Sequence, residues 1–207
     1  MIRFLITFFV ISLGSYAMAT ESPKYEVLHK ESHFEIRRYA PYIVAETVVE
    51  GSFDDVSTIG FRTLASYIFG GNTSKQKIAM TKPVGLEKKS EKIEMTSPVG
   101  QEPRDGKYVI TFSMPSQYIL ESLPTPDNKS ITLKEVSEKK LAVIEFSGLS
   151  NQSKYESELQ KLKDWIILKK FKMIGEPTYA RYDPPWTLWF MRRNEILIEI
   201  SGDVIKD

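Results

Sequence analysis

The spacing of apolar residues predicts strands followed by a helix in the first part of the chain. Short runs rich in aromatic and β-branched residues are typical of strands. Such runs occupy residues 25–31, 34–39 and 42–50. From Val56 to Ile68 the apolar residues instead fall close to helical spacing, with Ser52 as a favourable N-cap and Gly70 as a stop signal. We therefore predict the first helix over residues 52–69.

The same succession recurs in the second part of the chain. Apolar residues at helical spacing predict a long helix over residues 152–171, and Gly175-Glu176-Pro177 follows as a stop. Further strands are predicted at residues 107–114, 131–136, 141–146, 179–183 and 195–200. Two halves with strands around one helix predict an α+β fold, with an antiparallel sheet curved into a barrel or saddle and helices packed against it. No linker rich in Gly, Ser or Pro divides the halves, so we expect one domain, residues 20–207.

A short local repeat lies between the first helix and the next strand. Residues 77–85 (KIAMTKPVG) recur fifteen positions later as residues 92–100 (KIEMTSPVG). Two copies are too few for a solenoid, which needs at least three. The repeat therefore predicts a pair of strands, with each proline at a strand end, an edge or a bulge.

The first nineteen residues have the pattern of a secretory signal peptide. Arg3 gives a basic start, residues 4–13 are almost wholly apolar, and Ala17-Met18-Ala19 provides an A-x-A cleavage site. A membrane-spanning helix needs about 20 apolar residues, so this run is too short for stable insertion. The alternative is an N-terminal core helix. We expect residues 1–19 to be removed after Ala19 and the protein to be periplasmic or secreted.

Charge and cysteine content exclude several classes of function. The whole chain has 28 basic and 27 acidic residues, and the leader's only charged residue is Arg3, so the mature chain has 27 of each sign. Binding to nucleic acid or anionic membrane relies on surplus Lys and Arg, which this balance does not provide. The chain has no cysteine, which excludes disulfides, thiolate metal sites and a cysteine nucleophile.

Four motifs in order give the chain a family resemblance. They are FEIRRY at residues 34–39, YIFGGN at 67–72, the paired MTxPV copies, and ARYDPPW at 180–186 leading to RRNE at 192–195. In this order they resemble the SOUL haem-binding family. The resemblance implies a distorted eight-stranded antiparallel barrel with two helices, built from two βαββ halves, a fold shared with bacterial effector-binding domains. It also implies haem or another tetrapyrrole as ligand and assigns no catalytic residue.

The resemblance places the ligand groove at the first helix and the turn at residues 182–186. It implies a set of contact residues, namely Ile59, Arg62, Ser66 and Tyr67 on the helix and Tyr182 before the turn. A guanidinium suits a carboxylate, so Arg62 is expected to pair with a haem propionate. We add Trp186, because a broad ring in the turn can stack on a macrocycle. The alternative for Tyr182 and Trp186 is that they pack the helix against the barrel.

Iron ligation is less well supported than macrocycle binding. Some family members have a proposed axial histidine where this chain has Arg38, which stays protonated and cannot donate a lone pair to iron. For the chain's two histidines, His29 and His33, we predict surface or structural roles. Met80 and Met95 could ligate iron, but their repeated context predicts strand packing. We therefore expect haem without a clear axial ligand, held by apolar contact.

Trp189 marks a second departure from the family, which usually has proline at this position. We expect this change to reshape one loop only.

Enzyme motifs are mostly missing from the sequence. It contains no H-E-x-x-H pair, no G-x-S-x-G elbow and no glycine-rich phosphate loop. We therefore predict a protein that binds haem or a related planar ligand for carriage or sequestration, and not an enzyme. Two alternatives stay open: an effector-type module for another small molecule, and a hydrolase using a cleft glutamate such as Glu145 or Glu195.

Overall fold

A computed structural model of the protein describes residues 21–74, 90–149, 151–184 and 186–202. Two helices occur in these ranges, α1 (Phe53–Ile68) and α2 (Gln152–Leu168). The strands are β1 (Tyr25–Glu31), β2 (Phe34–Tyr39), β3 (Tyr42–Val49), β4 (Asn72–Thr73), β5 (Val99–Arg104), β6 (Lys107–Ser113), β7 (Thr125–Pro126), β8 (Ile131–Val136), β9 (Lys139–Ser147), β10 (Lys172–Arg181) and β11 (Arg193–Ser201). A short 3₁₀ turn covers Trp189–Met191. The predicted leader lies outside the described residues.

Nine strands form one antiparallel sheet in the order β1-β2-β9-β11-β10-β5-β6-β3-β8. The units β3-α1-β5-β6 and β9-α2-β10-β11 have the same internal pairing, in which the first strand pairs with the last and the last pairs with the middle one. They join where β5 pairs with β10. The predicted α+β class and the two βαββ halves are confirmed.

The two halves exchange strands at the margins of the sheet. β2 precedes the first half in sequence but pairs with β9 of the second, and β8 precedes the second half but pairs with β3 of the first. Only Ala40 and Pro41 connect β2 to β3, which lie near opposite margins of the strand order. Since three Cα–Cα steps span at most about 11 Å, the sheet must curve to bring these strands together. Within the described residues the margins β1 and β8 are not hydrogen-bonded to each other, so the closed ring of a barrel is not observed.

Both helices pack on one face of this curved sheet. Ser52 caps α1, where its side chain accepts a hydrogen bond from the Asp55 backbone N–H, as the sequence predicted. α1 lies on β3 and β6, and α2 lies on β9, β10 and β11. Phe53 of α1 contacts Tyr155 of α2 and Tyr179 of β10 through edge-to-face rings, and these contacts connect the two cores. Among the residues that the structure describes, no helix packs on the other face of the sheet, which we call the open face.

Three predictions about the elements were wrong in detail. The second copy of the short repeat is a strand only from Val99 onward, and its first copy lies outside the described residues. The helix α2 ends at Leu168 instead of residue 171, and Lys170 adopts a left-handed φ of 62°. The supposed stop at residues 175–177 lies inside β10, where the register with β11 shifts between Ile174 and Thr178.

The described part of the chain contains no helix that is both long enough and apolar enough to cross a bilayer.

Candidate functional site

A buried charge network occupies the open face near the end of β2. Ile36 belongs to the helix-side core, so Arg37 points to the opposite face. The Arg37 guanidinium donates from Nη1 and Nη2 to the two carboxylate oxygens of Glu195, at 2.9 and 3.1 Å. It also donates from Nε to Glu35 at 2.6 Å and from Nη1 to the Tyr39 hydroxyl at 3.2 Å. The Arg37 and Glu195 side chains are 1% and 0% exposed, so this pair is shielded from solvent.

Two further side chains complete the network around Glu195. The Tyr182 hydroxyl donates to Glu195 Oε2 at 2.6 Å. The Arg193 guanidinium donates to Glu195 Oε1, lies 3.2 Å from the Glu145 carboxylate and stacks 4.3 Å above the Tyr182 ring. Glu195 is therefore surrounded by donors, which is what a buried carboxylate needs.

The pKa values in the network follow from burial and from these contacts. Burial, followed by the charge of Glu195, raises the pKa of Tyr182 well above its ordinary value. Burial raises the pKa of Tyr39 to about 12, against the opposing effect of Arg37. For Arg37, burial works against the charge, but the hydrogen bonds and charge of Glu195 raise its pKa above the ordinary value. All three groups therefore keep their neutral-pH protonation.

Two cavities open near this face. One, of about 210 Å³, lies on the open face and is lined by residues that include Tyr39, Leu141, Leu197 and Glu199. The larger, of about 380 Å³, lies between the segment at residues 21–24, the β2–β3 connection and residues 113–121, and Glu135 also lines it. Neither cavity is lined by any of the six residues that the sequence analysis named as ligand contacts.

The outer face of α1 carries three of those six residues. Ile59, Arg62 and Ser66 are exposed and lie on the side of the helix that faces away from the sheet. Tyr67 is different, because it is fully buried in the core under α1 and its hydroxyl donates to the Pro124 carbonyl at 2.9 Å. The ligand role of Tyr67 stays a prediction, and its position is that of a packing residue.

Trp186 belongs to a segment that exposes five large apolar side chains. Residues 186–191 (WTLWFM), which we call the apolar loop, connect the end of β10 to β11. Trp186 is 83% exposed, so it does not pack α1 against the sheet. The exposed set is Trp186, Leu188, Trp189, Phe190 and Met191. Trp189 begins the 3₁₀ turn at Trp189–Met191, and the expectation that it reshapes this loop stays a prediction.

The strand β10 brings the base of the apolar loop to α1. The Arg181 guanidinium donates to the Ser57 hydroxyl of α1, which places the end of β10 beside the first half of the helix. Tyr182, the next residue, instead donates to Glu195 of the open-face network. The six predicted contacts are therefore divided among the exposed face of α1 (Ile59, Arg62, Ser66), the core beneath it (Tyr67), the loop (Trp186) and the open face (Tyr182).

The candidate iron ligands are scattered. His29 lies 3.8 Å from Glu31 and its ring stacks on Trp165 at 6.2 Å. His33 is exposed, and Arg38 forms an exposed ion pair with Glu26 at 3.2 Å. Met95 is 41% exposed and outside any strand, whereas Met80 lies outside the described residues. In the described ranges no three His, Cys, Asp or Glu residues form a group suited to hold a metal ion.

Sequence reasoning named most members of the open-face network but not their association. Arg37 and Tyr39 were in the FEIRRY motif, Tyr182 was a ligand candidate, and Glu145 and Glu195 were hydrolase candidates. Alternation along β2 and β11 puts Arg37 and Glu195 on definite faces, but only the strand order puts both on the same face. That order was not available from the sequence.

The fold belongs to the class of α+β domains in which two βαββ halves share one antiparallel sheet. It is similar to the C-terminal domain of EcmrR, with a TM-score of 0.57 at 10% identity, covering 86% of this chain and 99% of that one. It is also similar to a hydrolase from Listeria innocua, with a TM-score of 0.58 at 9% identity, covering 84% of this chain and 94% of the other. At these identities the likeness concerns the fold alone.

Sequence comparison identifies the family. The family model for the SOUL heme-binding protein matches residues 20–199, and the chain belongs to this family. It is 30% identical over 193 residues to heme-binding protein 2 of Homo sapiens, covering 86% of this chain and 89% of the human protein. It is 25% identical over 203 residues to heme-binding protein 2 of Mus musculus, covering 91% of this chain and 94% of the mouse protein. The resemblance found in the four motifs is confirmed.

Proposed function

We propose that this protein binds haem or a related tetrapyrrole at its surface, for carriage or sequestration. The observation that carries the proposal is the apolar loop, in which Trp186 is 83% exposed, because the strand that leads into this loop is joined to α1 by the hydrogen bond from Arg181 to Ser57. A tetrapyrrole such as haem has a broad apolar face and two carboxylates, and these need an apolar platform and a cation. Membership of the SOUL family and the names of its two curated relatives support the same ligand class.

In this proposal the exposed residues contact the ligand and the buried ones position them. Trp186 stacks on the macrocycle, Arg62 pairs with a propionate, and Ile59 and Ser66 line the outer face of α1. Tyr67 and Tyr182 do not contact the ligand in this proposal. Tyr67 fixes α1 to the core, and Tyr182 fixes the base of the loop through its hydrogen bond to Glu195. Bound haem would supply a redox-active iron, for which the proposal assigns no axial protein ligand.

A haemin titration of residues 20–207 tests this proposal. We expect saturation near one haem per chain, followed by absorbance and by thermal shift, because a ligand that binds only the folded state stabilises it. Replacing Arg62 by Gln or Trp186 by Ser should weaken binding. Arg38→Gln is the matched control, since Arg38 is exposed on β2 and pairs with Glu26. If binding does not saturate, or if the control weakens it equally, the site is not where we place it.

A second candidate is a small amphipathic ligand other than haem. The larger cavity, at about 380 Å³, falls within the range of roughly 300–1,000 Å³ that is typical of small-molecule sites. Its wall combines the aromatic rings of Tyr42 and Tyr118 with carboxylates such as Glu121 and Glu135. Binding of a non-tetrapyrrole that survives Trp186→Ser but is lost when Ala40 on the cavity rim is replaced by Trp would favour this candidate.

We propose that the protein is not an enzyme. Both oxygens of Glu195 accept hydrogen bonds from Arg37, and Tyr182 and Arg193 add two more donors. A carboxylate engaged in this way is a poor general base, because its lone pairs are occupied. Glu145 pairs with Arg193 at 3.2 Å. Ester or amide turnover abolished by Glu195→Gln in a variant that still folds would contradict this proposal.

We also propose that the chain acts outside the cytoplasm as one domain, residues 20–207, after cleavage behind Ala19. The leader pattern of residues 1–19 supports this proposal. Mass spectrometry of the exported protein should find Thr20 as its first residue. An uncut chain that stays inside the cell would contradict it.

A further inference from the structure

Four consecutive apolar side chains project from the apolar loop. Leu188, Trp189, Phe190 and Met191, which we call the apolar tip, are 59%, 58%, 55% and 63% exposed. Isolated exposed apolar residues are common, but contiguous exposed apolar surface usually marks a place of interaction. Trp186, at the base of the loop, is a proposed haem contact, and the four residues of the apolar tip have no part in the proposed haem binding.

Hydrogen bonds within the apolar loop hold its backbone in place, so the exposure of the apolar tip is a property of the fold. The Met191 N–H donates to the Leu188 carbonyl at 2.9 Å, and the Thr187 N–H donates to the Pro184 carbonyl at 3.0 Å. At the base, the Arg193 N–H donates to Asp183 Oδ2 at 2.6 Å. These hydrogen bonds hold the backbone in a turn that points the side chains outward, instead of letting them fold back on the core.

We propose that the apolar tip inserts into the interfacial layer of a phospholipid bilayer. Residues 184–191 contain no charged side chain, and Arg192 follows them directly. Tryptophan and other aromatic rings favour the membrane–water interface, and guanidinium groups bind phosphate well. The Arg192 Nε donates to the Thr187 carbonyl at 2.8 Å, which fixes this cation just behind the tip, at the level of the lipid phosphates once the tip is inserted.

The shape of the tip favours a bilayer over a protein partner. It is one 3₁₀ turn of three residues, Trp189–Met191, projecting between two strands. A single exposed turn of this length offers no long groove for a peptide, but it can enter the boundary between headgroups and acyl chains to a depth of about 5–10 Å. The mature chain as a whole has no surplus of positive charge, so the contact depends on the tip and is reversible. It goes beyond haem binding and does not require it.

The three tryptophans make this insertion directly observable. Trp165 is 6% exposed in the core, whereas Trp186 and Trp189 are 83% and 58% exposed in the loop. In a Trp186→Phe variant, Trp189 is therefore the only exposed tryptophan among the described residues. Haem-free protein, residues 20–207, is mixed with vesicles of phosphatidylcholine and phosphatidylglycerol in equal amounts. We expect the emission to shift to the blue, to be quenched by brominated acyl chains, and the protein to sediment with the vesicles.

Matched variants assign the binding to the tip. Replacing Leu188 and Phe190 together by Ser should lower the vesicle partition coefficient by about tenfold or more, since each fully buried apolar side chain contributes more than that factor. The control replaces Ile167 and Leu168 by Ser, because these residues are 62% and 73% exposed at the end of α2. The control should change partitioning less than about twofold. Circular dichroism and thermal unfolding verify that both double variants fold.

Three results would overturn the proposal. Wild-type protein that neither sediments with vesicles nor shifts its emission has no membrane contact. Equal losses in the tip and control variants would make the binding non-specific. A concentration-dependent dimer, abolished by the tip variant and unaffected by vesicles, would mean that a second copy covers the tip. Because all of these measurements are made without haem, failure of the haem proposal does not affect them.

Discussion

Arg37 and Glu195 form a bidentate ion pair in the interior, with guanidinium–carboxylate distances of 2.9 and 3.1 Å. They lie 158 positions apart, on β2 and β11, with β9 between their strands. The pair therefore links β2, which precedes the first half in sequence, to β11, a central strand of the second half. Its stability depends on the complete set of donors, because a buried charge that loses its partner is not compensated by water.

Glu195→Gln should destabilise the protein by about 3 kcal/mol, the lower end of the range for breaking a buried ion pair, because Arg37 stays charged and buried with Glu35 as its remaining carboxylate partner. Urea unfolding followed by circular dichroism measures the change. The control is Glu145→Gln, which removes a carboxylate that also pairs with Arg193 but is 51% exposed. A loss below about 1 kcal/mol is expected there. Equal losses of unfolding free energy in the two variants would mean that burial does not determine how much the Arg37–Glu195 pair contributes to stability.

Tyr182→Phe should cost about 1.5–3 kcal/mol, since it removes a hydrogen bond to a charged acceptor and leaves the ring in place. Unfolding in urea tests this value. Burial and the Glu195 charge raise the pKa of Tyr182. An alkaline absorbance titration of the native proteins should therefore show the same number of tyrosines ionising at moderately alkaline pH in the wild type and in Tyr182→Phe. A phenolate signal lost in the variant at moderately alkaline pH would contradict this assignment.

Acid should destabilise the fold through Glu158 of α2. This carboxylate is 4% exposed and lies 2.8 Å from Lys154 and 2.9 Å from Lys161. Burial raises its pKa, but the two lysines outweigh burial and leave it below the ordinary value of 4.5. Because the folded-state pKa of Glu158 lies below its unfolded-state pKa, the contribution of Glu158 to stability is complete above pH 4.5. This contribution is lost as the pH falls through the folded-state pKa.

Unfolding curves measured across the acid range test this assignment. Glu158→Gln should be less stable at neutral pH and lose less stability on acidification. Glu156→Gln is the control, because Glu156 is exposed on the same helix and accepts a hydrogen bond from the neutral Gln152. The control should keep the acid dependence of the wild type. If Glu158→Gln keeps it too, another carboxylate is responsible.

Gly60→Ala should destabilise α1 even though alanine is the better helix former. A Cβ at position 60 would contact Cγ1 of Ile110 and lie 2.6 Å from Ile110 Cβ. Overpacking of this kind typically costs about 1–3 kcal/mol after any gain in helix propensity. Thr58→Ala on the exposed side of α1 should be neutral or slightly stabilising. Thermal unfolding compares the two, and a stabilised Gly60→Ala would show that β6 can move away.

The local elements were predictable where the sequence signals were local. The alternating strands before α1, its Ser52 cap and its end after Ile68 follow from residues near one another, and all were confirmed. The strand β5 was found only at its first residues, since Gly100 and Pro103 make it a poor strand by composition. The first half of β10 was missed because Gly175 and Pro177 read as a stop, whereas they occupy a register shift.

The candidate site was less predictable, because its geometry depends on long-range pairing. Sequence reasoning placed Tyr67 and Tyr182 in one groove with Arg62, from family positions alone. The structure separates them into core, open face and outer helix surface. The exposure of the apolar loop could not be predicted from the sequence either, because a run of large apolar residues ordinarily predicts burial.

The exchange of β2 and β8 between the halves has a consequence for assembly during folding. Neither half holds all the strands of its own share of the sheet, so a chain cut just before β8, at Lys129, should give two fragments that are unfolded alone. When the two fragments are mixed, they should recover the native circular dichroism spectrum, because β2 of one fragment pairs with β9 of the other and β3 pairs with β8. Until β8 and β9 emerge during synthesis, β2 and β3 lack partners on one side, and unpaired strand edges of this kind are prone to pair with other chains.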